Sequence, residues 1–136
     1  MSKFEKLTKY LEILDGDSFG TWIIDRENDG TIEHPRRMPY VNYTEMVYNF
    51  IEDMHKFGES NPEFELTRYG EILEKNGLEW NAKSMCEADV SSLDAQCVLA
   101  LLMGAVRAER FCDGALLRFF RNGSIKKWLE RLEEVG

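Results

Sequence analysis

Histidine, cysteine and proline are scarce in this chain, with two, three and three copies among 136 residues. His34 and His55, with three cysteines and no Cys-x-x-Cys, are too few to complete a zinc set. Cys86, Cys97 and Cys112 are odd in number and lack paired spacing, so they read as reduced thiols in a cytosol. Long apolar runs are missing too. The longest, Cys97 to Val106, falls short of the roughly 18 residues a membrane span needs, and no apolar stretch follows Met1 to Lys6 as a secretory signal requires. Positive charge is in deficit: 17 Lys and Arg stand against 25 Asp and Glu, a net charge of −8. Such a balance argues against direct binding of nucleic-acid phosphates. There is no Gly-x-Ser-x-Gly elbow and no Walker or Rossmann glycine pattern, and Gly20, Gly30 and Gly123 read as turns. Nothing in this inventory asks for a cofactor, a metal or a membrane.

What is present is helical periodicity. Phe4, Leu7, Leu11 and Leu14 predict a first helix over about residues 3–14. Phe19 to Ile24 is aromatic and β-branched, and Asn28-Asp29-Gly30 is a turn signal before Thr31-Ile32, which together predict a short hairpin or an extended flap. His34 to Pro39 reads as a loop because its two prolines restrict themselves and their predecessors. A second helix is expected from Tyr43 to Phe57, with Met46, Val47, Phe50, Ile51, Met54 and Phe57 on one face. A third spans Thr67 to Lys75, with an earlier start at Asn61-Pro62 as the alternative. Leu78 to Val90 is polar and irregular, anchored by Trp80.

Ser91 with Asp94 resembles a capping box opening a central helix that reaches about Phe111 and is enclosed on most sides. Ala100, Gly104 and Ala108 line up small residues on that helix, where a neighbouring helix can approach closely. A fifth helix begins at Asp113-Gly114, and Ser124 caps a sixth carrying Ile125, Trp128, Leu129 and Leu132. With no repeat, low-complexity tract or long linker, the expected fold is all-α: one helical domain over residues 1–136, five to six helices around a buried central one, with a small N-terminal excursion.

The run Arg107-Ala108-Glu109-Arg110-Phe111-Cys112-Asp113-Gly114, followed by Gly123 and the Trp128 to Leu132 helix, resembles a bacterial family catalogued as domain of unknown function 6508. The resemblance is strongest over the last third of the chain and continues through Trp22, Pro39-Tyr40, Phe50 and Tyr69. It implies a helical fold and the domain boundaries, and no activity, substrate or cofactor.

Charge returns to the central helix at Arg107, Glu109, Arg110 and Asp113. Arg107 and Arg110 share a face at three residues apart, as do Glu109 and Asp113 at four. Gln96, eleven residues before Arg107, comes back to nearly the same azimuth, so a stripe Gln96, Ala100, Met103, Arg107 is polar only at its ends. One reading is a preorganised anion site of two guanidinium forks backed by carboxylates. The structural reading makes Asp113 the N-cap of the next helix, places cations at a helix C-terminus, and leaves Glu109 to balance them.

A second candidate is the proline-braced loop with Arg36 and Arg37, close in sequence to Trp22 and Tyr40, against a plain solvated connection. His55 with Glu52 and Glu59 supplies too few ligands for a metal. Cys112 near Arg107 and Arg110 reads as an activated thiol or, more simply, a small buried one.

Three functions follow. The first is a cytosolic, non-catalytic module that binds another protein or a second copy of itself through Trp22, Arg36, Arg37 and Arg110. The second is a small enzyme or anion binder built on Arg107, Glu109, Arg110 and Asp113. The third is an acidic inhibitor whose Glu52-Asp53, Glu63-Glu65, Glu71-Glu74 and Glu130-Glu133-Glu134 rows imitate a phosphate backbone.

Overall fold

The central helix organises everything around it. Residues Cys97 to Val106 are all buried, so α5 (Ala95–Ala108) presents apolar side chains on every side and needs neighbours all round. They come from α2 (Glu45–Ser60), α3 (Tyr69–Lys75), α6 (Ala115–Arg121) and α7 (Ser124–Val135), which pack against it. A single cluster of buried apolar side chains runs from Phe4 to Leu132, with Phe50, Leu99, Leu101, Phe119 and Trp128 among its largest members. The structure is a computed structural model that describes residues 4–24, 31–33 and 39–135. Among these residues it is mostly all-α, with seven α-helices and one two-stranded antiparallel ribbon. No helix among them is long and apolar enough to cross a membrane.

The strongly periodic stretches fold as their spacing demands. In α2, Met46, Val47, Phe50, Met54 and Phe57 are buried on one face, and in α7 Ile125, Trp128, Leu129 and Leu132 are. The first helix differs. Only α1 (Glu5–Thr8) is α-helical, and the chain then tightens into 3₁₀ turns at Lys9–Glu12 and Leu14–Gly16. The tightening turns Tyr10 inward, edge-on to Phe50 at 5.4 Å, and its hydroxyl donates to Asp53 on α2 at 2.5 Å. Burial and the adjacent Asp53 carboxylate together raise the Tyr10 pKa, so the phenol stays a donor.

The strand pairing is not the expected one. β1 (Gly20–Ile23) pairs with β2 (Tyr40–Tyr43), Gly20 opposite Tyr43 and Trp22 opposite Val41, while Thr31 and Ile32 form no strand. The pairing is set where the ribbon joins the helices. The Thr44 amide donates to the Phe19 carbonyl at 2.9 Å, and the Asp17 carboxylate accepts from the Phe19 amide and the Thr44 hydroxyl. These bonds hold Phe19 in the left-handed region at φ 71°, stacked on Phe120 at 5.1 Å. The turn signal Asn28-Asp29-Gly30 and the loop residues His34, Arg36 and Arg37 lie outside the described residues.

Two further departures concern segment ends. Thr67 and Arg68 belong to a 3₁₀ turn, so α3 starts at Tyr69, and a separate turn occupies Pro62–Phe64. Inside the stretch expected to be irregular lies α4 (Ala82–Glu87), whose Asn81 side chain accepts from the Ser84 amide at 2.7 Å and whose Met85 is buried. The central helix opens at Asp94, whose carboxylate accepts from the Cys97 amide, and Ser91 instead bonds to Asp89. At α7 the acceptor for the Ser124 amide is Asn122, and the Ser124 hydroxyl turns toward Cys86.

The capping assignment generates a direct test. Asp94→Ala should lower stability by about 1 kcal/mol, as loss of a helix N-cap does. Ser91→Ala, away from any cap of α5, should stay within about 0.5 kcal/mol of wild type. Urea denaturation of the two variants separates them, and the reverse order would restore Ser91 as the cap.

Candidate functional site

Where α5 ends, its last carbonyls and the first amides of α6 need partners within a few residues. Glu109 supplies the second set. Its carboxylate accepts from the Gly114 amide at 3.0 and 3.1 Å and from the Leu116 amide at 3.0 Å, which places a negative charge on the N-terminus of α6. The Tyr43 hydroxyl, arriving from β2, donates to the same carboxylate at 2.5 Å and accepts from the Leu117 amide at 3.0 Å. Burial, then the hydrogen bond to Glu109, raises the Tyr43 pKa, keeping the phenol protonated to serve both contacts. Asp113 is therefore not the cap of α6. The residue before the helix is Gly114 at φ 88°, a backbone twist that lets the chain double back onto Glu109 and leaves Asp113 exposed.

The same twist prepares a wall for a pocket. A Cβ at position 114 would sit 2.3 Å from Trp22 Cζ2, so only glycine lets the Trp22 ring come this close to the turn. With Trp80 and Phe111, Trp22 lines a concavity of about 570 Å³. Trp80 is tied down by its indole N–H, which donates to the Gly104 carbonyl at 2.9 Å. Gly104 makes this approach possible, since a Cβ there would stand 3.1 Å from Met85 Cε and 3.3 Å from Trp80 Cδ1. The small-residue stripe on α5 thus accepts an indole and a methionine as well as neighbouring helices. Phe111 meets Trp80 edge-on at 5.7 Å and is 77% exposed, the most open of the three rings.

The pocket is apolar within and charged at its rim. Asp113 stands near the start of α6, and Arg118 and Arg121 line it farther along the helix. Arg121 donates through Nη2 to the Gly20 carbonyl at 2.9 Å, bracing β1. Cys112 is exposed at the pocket edge and is not the buried thiol its aromatic neighbour suggested. Cys97 is the buried one, its thiol pushed up to about 11 by burial and then by Asp94.

The residues singled out in the sequence separate in space. Trp22 and Asp113 line the pocket. Glu109 is half-buried behind it, engaged with backbone amides. Tyr40 is exposed at the far end of the ribbon, opposite Ile23 and on the face away from Trp22. Gln96 bonds the Phe64 carbonyl at 3.0 Å, an anchor between α5 and the turn before α3. His55 of α2 is half-buried, and the charge of Arg107 and, more weakly, that of Arg110 disfavour its protonated form. Arg107 is half-buried, its Nε enclosed without a hydrogen-bond partner among the described residues. Burial first, then Arg107, lowers the His55 pKa against an opposing pull from Glu59. The acidic rows hold cations of their own: Lys56 meets Glu52 at 2.9 Å, Arg131 meets Glu134 at 3.2 Å, and Lys9 meets Asp53 at 3.3 Å. Among the described residues no group of three or more His, Cys, Asp or Glu could hold a metal ion.

The sequence reading did not find Trp80, Phe111, Arg118 and Arg121 as pocket residues. Three aromatics at 22, 80 and 111 share no spacing that marks them as neighbours. Their signal was a large aromatic beside a glycine or a helix end, which is too common to single out a site.

Two measurements probe this region. Glu109→Ala removes a charged acceptor of several bonds and should cost about 2–3 kcal/mol; Tyr43→Phe strands the Leu117 amide and should cost about 1–2 kcal/mol. Because the two groups share one network, the double variant should fall short of their sum by about 1 kcal/mol, measured by chemical denaturation, and strict additivity would mean that they act apart. For His55 the folded pKa lies below the unfolded value, so the unfolded chain binds the proton more readily as pH falls through about 6.5. His55→Gln should therefore lose less stability than wild type between about pH 7 and 5, and parallel curves would remove the histidine from this balance.

No curated protein and no solved structure matches the chain. The sequence profile described as "Family of unknown function (DUF6508)" matches residues 2–136. That match covers nearly the whole chain, from the first residues through the last helix. The chain belongs to this family of unknown function.

Proposed function

We propose that the chain is a non-catalytic binding module that works in the cytosol and engages a partner protein by taking an apolar side chain of that partner into the Trp22–Trp80–Phe111 pocket. The observation behind this reading is the pocket itself: about 570 Å³ of concave, apolar-lined space at the surface, walled by three large aromatics that remain partly or mostly exposed. Aromatic side chains that stay in water while a pocket stands open between them are the common anchors of protein contacts. Two of the walls are fixed in advance, Trp80 by Gly104 and Trp22 by Gly114 and the β1 brace, so little ordering remains to be done on binding. The three cysteines are unpaired, as a reducing compartment would keep them.

The expected site shifts accordingly from Arg36, Arg37 and Arg110 toward the pocket, with Trp22 common to both. The alternative of an enzyme or anion binder built on Arg107, Glu109, Arg110 and Asp113 draws less support. The Glu109 carboxylate is occupied by amides and a phenol, and Asp113 lines a different surface from that of the arginines acting on His55.

The test uses the partner recovered on immobilised chain and two substitutions. Phe111→Ala removes the most exposed wall and should leave stability within about 0.5 kcal/mol. It should weaken retention of the partner by roughly 30-fold, as loss of an aromatic hot spot does. Ala115→Trp, which puts an indole into the pocket from α6, should abolish retention. Undiminished retention by both folded variants would place the contact elsewhere.

A further inference from the structure

We infer that the partner segment seated in the pocket is acidic: an aromatic or large apolar side chain flanked by carboxylates, with the acid directed to Arg118 and Arg121. The inference rests on the pocket reading above and adds the chemistry of the occupant. Along α6, Arg118 and Arg121 lie about 4.5 and 9 Å beyond Ala115, and both line the pocket. Neither has an ion-pair partner among the described residues. Arg118 makes no side-chain hydrogen bond there, and Arg121 makes one, to a neutral carbonyl. Glu109 is held by the α6 amides, and Asp113, though it lines the same pocket, forms no ion pair with either arginine among the described residues.

A pocket with apolar walls and two guanidiniums that have no ion-pair partner among the described residues selects by charge as well as by shape. Guanidinium forks match carboxylates in geometry and, beside aromatic surface, gain strength from reduced exposure to water. The net charge of −8 makes this preference informative, because non-specific attraction would draw basic segments, not acidic ones.

Three blocked tripeptides serve as probes: acetyl-Asp-Phe-Asp-amide, its Asn-Phe-Asn counterpart and its Lys-Phe-Lys counterpart. Binding is read from the fluorescence of Trp22 and Trp80, since Trp128 is fully buried. The acidic peptide should bind at least about fivefold more tightly than the neutral one, equivalent to one well-placed ion pair, and the basic one more weakly. Arg118→Glu should reverse the order of acidic and basic peptides, and Arg118→Gln should reduce the acidic preference; circular dichroism establishes that both variants fold. Equal affinity of acidic and neutral peptides for the wild type, or an acidic preference that survives Arg118→Glu, would overturn the inference while leaving the pocket reading intact. If no peptide changes the emission, or if Phe111→Ala binds all three as wild type does, the pocket reading itself falls.

Discussion

One carboxylate is shared between the C-terminal half of this molecule and its N-terminal ribbon. Glu109 leaves the end of α5, neutralises the amides that open α6, and receives the phenol of Tyr43 from β2. Each partner is weak without it. At seven residues α6 is too short to hold itself together by backbone bonds, and two four-residue strands are too few for an independent sheet. A charged acceptor shared between them lets each stabilise the other, and bonds to a charged group contribute more than neutral ones. The Gly114 twist is a consequence of this arrangement: the chain must reverse within a few residues for the Glu109 oxygens to reach amides ahead of them in sequence.

The pocket inherits its shape from that knot. Because Gly114 lacks a side chain, Trp22 can rest on the turn; because Tyr43 is fixed, so is the strand that carries Trp22. Trp80 is held independently, by α5 through Gly104. Phe111 lies between the two systems, on the exposed turn after α5, with an edge-on contact to Trp80 and no polar tether. Two walls are thus set by folding and the third by contact alone. Where such a pocket meets a partner, the fixed walls limit the loss of side-chain freedom and the exposed ring supplies new buried area.

How much of this was legible beforehand depended on the range of the deciding interaction. The faces of α2, α5 and α7 followed from periodicity, since burying an apolar stripe is a local demand that any packed fold must meet. The partner of β1 did not follow. Residues 31–32 stand behind a good turn signal, yet it is Tyr40–Tyr43 that pairs, tied in by the Thr44–Phe19 and Asp17 bonds and by Tyr43 reaching Glu109, 66 positions away in sequence. Capping misled for a related reason. Asp113 and Ser91 occupy the positions that local rules favour, but Glu109 reaches the α6 amides from five residues upstream of Gly114, and Asp94 lies closer to the true start of α5. The Arg107–Asp113 run looked like one site because a helix would put its charges on adjacent faces. The helix stops at Ala108, and beyond that point the residues diverge: Arg107 and Arg110 act on His55, Glu109 turns inward, and Asp113 opens onto the pocket.

That divergence gives the acidity of the chain a different significance from a row of mimicked phosphates. Cations interrupt the acidic stretches on α2 and α7, where Lys56 and Arg131 pair with their neighbours one helical turn away. Among the described residues, Arg118 and Arg121 on α6 have no such partner and line the pocket. An acidic segment approaching from solution would meet net repulsion over distances of about a Debye length, close to 10 Å at 0.1 M salt, and attraction only once its carboxylate lies against Arg118. Long-range repulsion with short-range pairing slows encounter and leaves affinity to the contact itself. Selection would then fall on the segment that supplies both an apolar group for the aromatic walls and an acid within reach of Arg118. Either feature alone would meet a charged rim without an anchor, or an anchor without relief from the surrounding negative field.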